Sequence, residues 1–174
     1  VITASRMSLP ISNSMFTVDL IDSQALRKTN NVLTIKEALR EIPSVQTNNR
    51  FNMSQGDRIT IRGTGTRAQF GVRGIKVLLD GVPLTFVDGQ SQLNNLNITS
   101  LDKIEVIRGA SSSLYGNSSG GIISAKSSIG NTNNLSIQTT LSLGSFGLSK
   151  YGLGVSAPLL SGGVSFNSYI TNSK

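Results

Sequence analysis

Apolar and polar positions alternate in two different ways along this chain, and the texture changes after Ser128. In the first stretch, short apolar runs stand between long polar connections. Phe16-Thr17-Val18-Asp19-Leu20-Ile21 alternates well enough for a strand. Asp22 or Ser23 can then cap a short helix through Ala25, Leu26 and Lys28. Thr34 and Glu37 have capping-box spacing, and Ile35, Ala38, Leu39 and Ile42 recur on one helical face. Pro43 ends that helix, because a residue before proline is pushed out of the helical region. An amphipathic helix packed on a sheet is expected. Asn48 to Asp57 reads as an exposed polar loop, and strands are expected at about 58–62, 75–80 and 103–108. Their connections, rich in Gly, Gln and Asn, are longer than usual, and such loops are often binding surfaces. Gly120-Gly121 leads into a further short strand, Ile122-Ile123.

Beyond a linker at 129–134, Leu135, Ile137, Leu141 and Leu143 alternate with Ser136, Gln138, Thr140 and Ser142. After a turn at Gly144-Ser145-Phe146-Gly147, Tyr151, Leu153, Val155 and Ala157 alternate with Lys150, Gly152, Gly154 and Ser156. Past 158–163, Val164, Phe166 and Ile170 alternate with Ser165, Asn167 and Thr171. Segments of about ten residues with one apolar and one polar face are the mark of transmembrane β-barrel strands. A soluble antiparallel sheet with one wet face alternates in the same way.

Composition narrows the chemistry. The 174 residues suffice for one domain of ordinary size with an appendage. There is no Cys and no His, which removes disulfides, Cys/His zinc sites and nucleophilic triads together. On composition an enzyme using carboxylates, Lys or Tyr stays open, but the acidic residues offer no obvious dyad, and no cofactor or metal site is expected. Sixteen Lys and Arg against nine Asp and Glu give a net charge of +7, with the bases spread singly. A soluble basic domain for nucleic acid would carry such a charge, but no polybasic run or aromatic interleaving supports one. No stretch of about 18 apolar residues exists for a transmembrane helix.

Several motifs then stand in a fixed order. Ile59-Thr60-Ile61-Arg62-Gly63 comes first, then Ile75-Lys76-Val77-Leu78-Leu79-Asp80-Gly81-Val82-Pro83-Leu84, then Ile104-Glu105-Val106-Ile107-Arg108-Gly109. Ser113-Leu114-Tyr115-Gly116-Asn117 and Gly120-Gly121-Ile122-Ile123-Ser124-Ala125-Lys126 follow. This order resembles the plug domain of TonB-dependent outer-membrane receptors. Phe70-Gly71-Val72-Arg73-Gly74 and Phe86-Val87-Asp88-Gly89-Gln90-Ser91-Gln92 are similar to the siderophore-receptor branch.

The resemblance implies an α+β fold. A small mixed-sheet plug with short flanking helices and long loops would be followed by the first antiparallel strands of a transmembrane β-barrel. On this reading residues 1–6 are a TonB-box-like segment, 7–128 the plug, 129–134 a linker and 135–174 barrel strands. Three strands cannot close a barrel, and plugged transporters use about 22, so an amino-terminal fragment of a longer, exported receptor is expected. The implied function is a non-enzymatic gate for import of a ferric siderophore or similar chelate. Its partners would be TonB with its inner-membrane energising complex, the receptor's own barrel, the small ligand and outer-membrane lipid. Carriage of glycan, haem or cobalamin, or signalling, remains open within the same fold.

The resemblance also assigns residues. Val1, Ile2, Thr3 and Ala4 would meet TonB by strand addition, although the acidic and threonine residues usual before them are missing. Arg62 and Arg108 match the two Arg-Gly arginines that pair with glutamates on the barrel wall, as guanidinium forks suit carboxylates. A basic plug would complement an acidic lumen. Arg67, Gln69, Phe70, Phe86 and Asp88 are the expected ligand contacts, on outward loops at 48–57, 67–70 and 86–90. Gly63-Thr64-Gly65-Thr66-Arg67-Ala68 mimics a dinucleotide turn, but the following residues make a poor helix. Asn52-Met53-Ser54 and Asn97-Ile98-Thr99 match a glycosylation pattern by chance, and Asp80-Gly81 is read as a tight turn without chemistry.

Overall fold

A computed structural model describes residues 10–28, 35–48, 56–69, 71–91, 93, 96–128, 134–145, 147–159 and 162–172. The chain divides into two compact units that meet between Ser127 and Ser128.

In the first unit, β1 (Thr17–Asp22) runs into α1 (Ser23–Lys28), and α2 (Ile35–Leu39) precedes β2 (Val45–Asn48) and β3 (Arg58–Ile61). Then come β4 (Val72–Arg73), β5 (Ile75–Leu79), β6 (Val82–Pro83), β7 (Gln90–Ser91), β8 (Leu101–Arg108), α3 (Ser112–Tyr115) and β9 (Gly121–Ser127). Five strands form a mixed sheet in the order β1-β8-β9-β5-β6, in which only β5 and β9 pair in parallel. Two small antiparallel pairs, β2–β3 and β4–β7, stand beside it. The α+β mixed-sheet fold expected from sequence is the fold observed.

Local chemistry accounts for the helix limits. The Asp22 carboxylate caps α1 by accepting the Ala25 amide at 2.8 Å. The second helix is shorter than its periodicity predicts. Arg40 to Ile42 form turns rather than helix, and two constraints agree on this: Pro43 disfavours a helical Ile42, and Ser44 reverses the chain at φ 66°. Thr34, the expected cap, lies outside the described residues. The strand at Val45–Asn48 is not predicted, because four residues show too little alternation, and its last residue, Asn48, falls in the expected loop.

The core lies on one face of the sheet, where Val77, Ile104, Val106 and Ile123 are fully buried with Leu39 of α2 and Ile59 of β3. The opposite face carries a smaller cluster of Leu78, Ile107 and Ile122, packed with Phe16, Val18 and Tyr115. Strand β9 is longer than the expected Ile122-Ile123 because its ladders to β5 and β8 satisfy it on both edges.

The second unit is an antiparallel meander of β10 (Ser136–Leu143), β11 (Ser149–Leu159) and β12 (Gly162–Asn172). Its register aligns Ile137 with Val155 and Phe166, and Leu141 with Tyr151 and Ile170. That face is open: Ile137, Leu141, Tyr151, Leu153, Phe166 and Ile170 are between 45% and 67% exposed. On β11 the alternate positions Lys150 and Ser156 are buried instead. An open apolar face on antiparallel strands of about ten residues is consistent with the lipid-facing side of a barrel.

Gly121 sets the closest approach in the main sheet. It pairs with Arg108 at φ 145°, and a Cβ there would lie 2.2 Å from the Ile107 carbonyl oxygen. Gly121→Ala is expected to destabilise the plug by about 2–4 kcal/mol, through backbone strain and displacement of β8. The check is the urea midpoint of plug unfolding.

Candidate functional site

Arg62 and Gly63 form the tip of a two-residue turn. The Ile61 amide donates to the Thr64 carbonyl at 3.1 Å, and the Thr64 amide donates back at 2.9 Å. Both tip residues have positive φ, 49° at Arg62 and 82° at Gly63, which is the geometry of a hairpin turn normally built from Asn, Asp or Gly. An arginine in the left-handed region costs on the order of 1–3 kcal/mol, and such strain collects at functional positions. The Arg62 side chain is exposed and makes no hydrogen bond or ion pair among the described residues.

Its neighbour is the second Arg-Gly step. A Cβ on Gly109 would lie 3.5 Å from Arg62 Nη1, so the two steps are adjacent in space. Both also converge on the turn after α2. The Arg62 amide donates to the Ser44 carbonyl at 3.0 Å, and Arg108 Nη1 donates to the Pro43 carbonyl at 3.0 Å.

Arg108 differs from Arg62 in having its fork engaged. Nη2 donates to Asp19 Oδ1 at 3.2 Å, and Nε lies 2.6 Å from Asp19 Oδ2, a charge contact outside hydrogen-bond angles. The register explains the meeting: Asp19 sits opposite Val106, which places Arg108 diagonally beside it on the same face. Sequence reasoning passed over Asp19. The signal was an inward-facing charge at the centre of an otherwise alternating strand.

Asp80, expected to be only a turn residue, is also a clasp. It opens the β5–β6 turn at φ 50°, with Gly81 at 83°. One carboxylate oxygen accepts the Ser127 amide at 2.8 Å and the other accepts the Ser127 hydroxyl at 2.7 Å. Ser127 is the last residue of the first unit.

The expected ligand residues fall into two groups. Arg67 and Gln69 are exposed on the connection that enters β4, beside a hollow of about 290 Å³ that Arg67 lines with Arg73. Phe86, at 57% exposure, and Asp88 belong to a tight turn entering β7, held by the Phe86 amide on the Gln90 carbonyl at 2.8 Å. Asp88 is spent partly on that turn, its carboxylate accepting the Gln90 amide at 3.0 Å. Since β4 and β7 are antiparallel, these connections enter the pair from opposite ends. Phe70 and Val1, Ile2, Thr3 and Ala4 lie outside the described residues.

A further carboxyl, Asp57, is buried and makes no hydrogen bond or ion pair among the described residues. Burial pushes its pKa above the ordinary 3.8, while the positive charge of Lys36 acts against this.

Comparison with known proteins agrees with this architecture. Residues 10–122 match the family model described as TonB-dependent Receptor Plug Domain. Over 125 residues the chain is 31% identical to the vitamin B12 transporter BtuB of Vibrio cholerae, covering 71% of this chain and 19% of that protein. Its fold is also similar to the pyoverdine outer membrane receptor FpvA of Pseudomonas aeruginosa, with a TM-score of 0.75 at 20% identity over 98% of this chain and 24% of that one. The ferric-catecholate import receptor Fiu of Escherichia coli gives 0.73 at 20% identity, covering 98% of this chain and 23% of that one. The chain therefore belongs to the TonB-dependent receptor plug family of the bacterial outer membrane, and spans about a fifth of the length of the curated relatives it matches.

Asp57 supplies a pH test. With its folded pKa raised, the native state binds the extra proton, so stability falls as pH rises from about 3.8 through the folded value. Asp57→Asn is expected to flatten that fall and to raise the unfolding midpoint at pH 7 relative to pH 4, measured by denaturant titration at both.

Proposed function

We propose that this chain is the gate of an energy-coupled outer-membrane importer, carrying a ferric siderophore or similar metal chelate and opened by force from the TonB complex. The observation that carries the reading is the junction of the two Arg-Gly steps. Among the described residues one arginine is unpaired and strained at a turn tip, while the other is bound to their first strand, β1. Family membership and the exposed apolar face of β10–β12 support the outer-membrane setting.

The mechanism divides the two arginines. Arg62 reaches outward and pairs with a carboxylate of the barrel lumen, where a confined pair is screened less than one on open surface. Arg108 latches β1 to β8 through Asp19, with side-chain exposures of 13% and 25%. Tension on residues 1–16 reaches Thr17 first, which stands opposite Arg108. The pull therefore loads the Arg108–Asp19 pair before the rest of the ladder. Breaking it frees an edge strand and releases a second guanidinium toward the wall. Arg67 and Phe86, on connections that enter the β4–β7 pair from opposite ends, would meet the cargo separately.

Cobalamin is the second reading, favoured by the 31% identity to a vitamin B12 transporter. Uptake of labelled cyanocobalamin against labelled ferric chelate by the complete receptor separates the two.

Asp19→Asn in the complete receptor is expected to weaken the β1 latch by about 1–3 kcal/mol, between the values for exposed and buried pairs. Amide exchange in residues 17–22 should rise about tenfold or more, with the rest of the sheet unchanged. Arg62→Ala should leave that exchange unchanged and lower plug retention and uptake. Unaltered uptake in an Arg62→Ala, Arg108→Ala double variant would remove the lock role.

A further inference from the structure

Between α2 and the β2–β3 pair lies an open cavity of about 620 Å³, within the range of small-molecule sites. Its lining includes Lys36, Arg40, Gln46, Asn48, Arg58 and Thr66. The sequence places the cations there by two periodicities. Lys36 and Arg40 are four apart, one turn along α2 and its end. The register pairs Gln46 with Thr60 and Asn48 with Arg58, so these four share the face opposite the core residues Ile59 and Ile61.

From this we infer that the groove binds the anionic arms of the cargo, making that cargo a chelate with exposed carboxylate or similarly charged oxygens. The inference rests on the import reading above and names the substrate class for it. Arg40 is exposed, and its guanidinium has no hydrogen bond or ion pair among the described residues. Arg58 is half-buried, and among the described residues its guanidinium makes one bond, a long 3.5 Å donation to the Thr66 carbonyl. Both forks are available, and a guanidinium fork matches a carboxylate bidentately. Neither Glu37 nor Glu41 lines the cavity. Asp57, next to Arg58 in sequence, is buried and does not line the cavity either. Asn48 opens the expected ligand loop at 48–57, and Thr66 immediately precedes the one at 67–70. A concave site with amides and a hydroxyl between cations suits a compact multidentate anion better than a strand of barrel wall.

The test uses the purified complete receptor and two probes, ferric citrate and an uncharged tris-hydroxamate ferric chelate, titrated calorimetrically. Ferric citrate is expected to bind at least tenfold more weakly to the Arg40→Gln, Arg58→Gln variant, with a shallower salt dependence, while the uncharged chelate is unaffected. An Arg40→Lys, Arg58→Lys variant should recover much of the loss, which separates charge from folding. Equal binding of ferric citrate to wild type and the Gln variant, or no saturable binding at all, overturns the inference. Reduced plug retention with unchanged chelate binding also overturns it and assigns these arginines to the barrel wall. Groove-dependent binding without energised uptake of any chelate would instead defeat the import reading and leave the groove standing.

Discussion

The Arg108 guanidinium joins three parts of the plug that the chain separates widely: the edge strand through Asp19, the end of β8 on which it stands, and the turn after α2 through the Pro43 carbonyl. Each connection needs the others. Pro43 must end the helix early for its carbonyl to face β8, and β1 must pair in a register that sets Asp19 diagonal to Arg108. Such a pair is a poor source of net stability, because desolvating both charges offsets much of their attraction. Its contribution is positional: remove one partner and the other is left partly buried and uncompensated.

The two Arg-Gly steps share a sequence pattern and differ in conformation. Arg62 is left-handed at a hairpin tip, with a side chain unengaged among the described residues. Arg108 ends a strand before a left-handed Gly109, with its side chain engaged. The same dipeptide thus gives one outward and one inward arginine. The groove adds a third arrangement, in which cations of neighbouring elements line a common hollow.

The sheet was legible where periodicity was long or the turn chemistry strong. Strands β5 and β8 are rich in Ile, Val and Leu over five and eight residues, and Asp80-Gly81 is a favoured hairpin pair. The pieces not anticipated were short: β2, β4, β6 and β7 have two to four residues each, too few to show alternation. Arg62-Gly63 was read as a strand end because arginine is a rare turn-tip residue. Asp19, Asp57 and the groove were invisible for a common reason. Their meaning depends on what lies across a ladder or beside a helix, and a single chain without pairing register does not reveal that. Phe70 and the amino-terminal segment rest on sequence alone.

The Asp80 clasp decides where the first unit lets go of the chain. Ser127 leaves from β9, which is hydrogen-bonded on both sides, by β8 and by β5, whereas β1 lies at the margin with one neighbour. The two termini of this sheet are therefore mechanically unequal. A load entering through β1 has a single seam to peel, and a load leaving through β9 meets two seams and a carboxylate hook. The sheet is built like an envelope with a gummed flap: β1 is an edge held by one seam, while the opposite exit is fastened by two ladders and the Asp80 carboxylate.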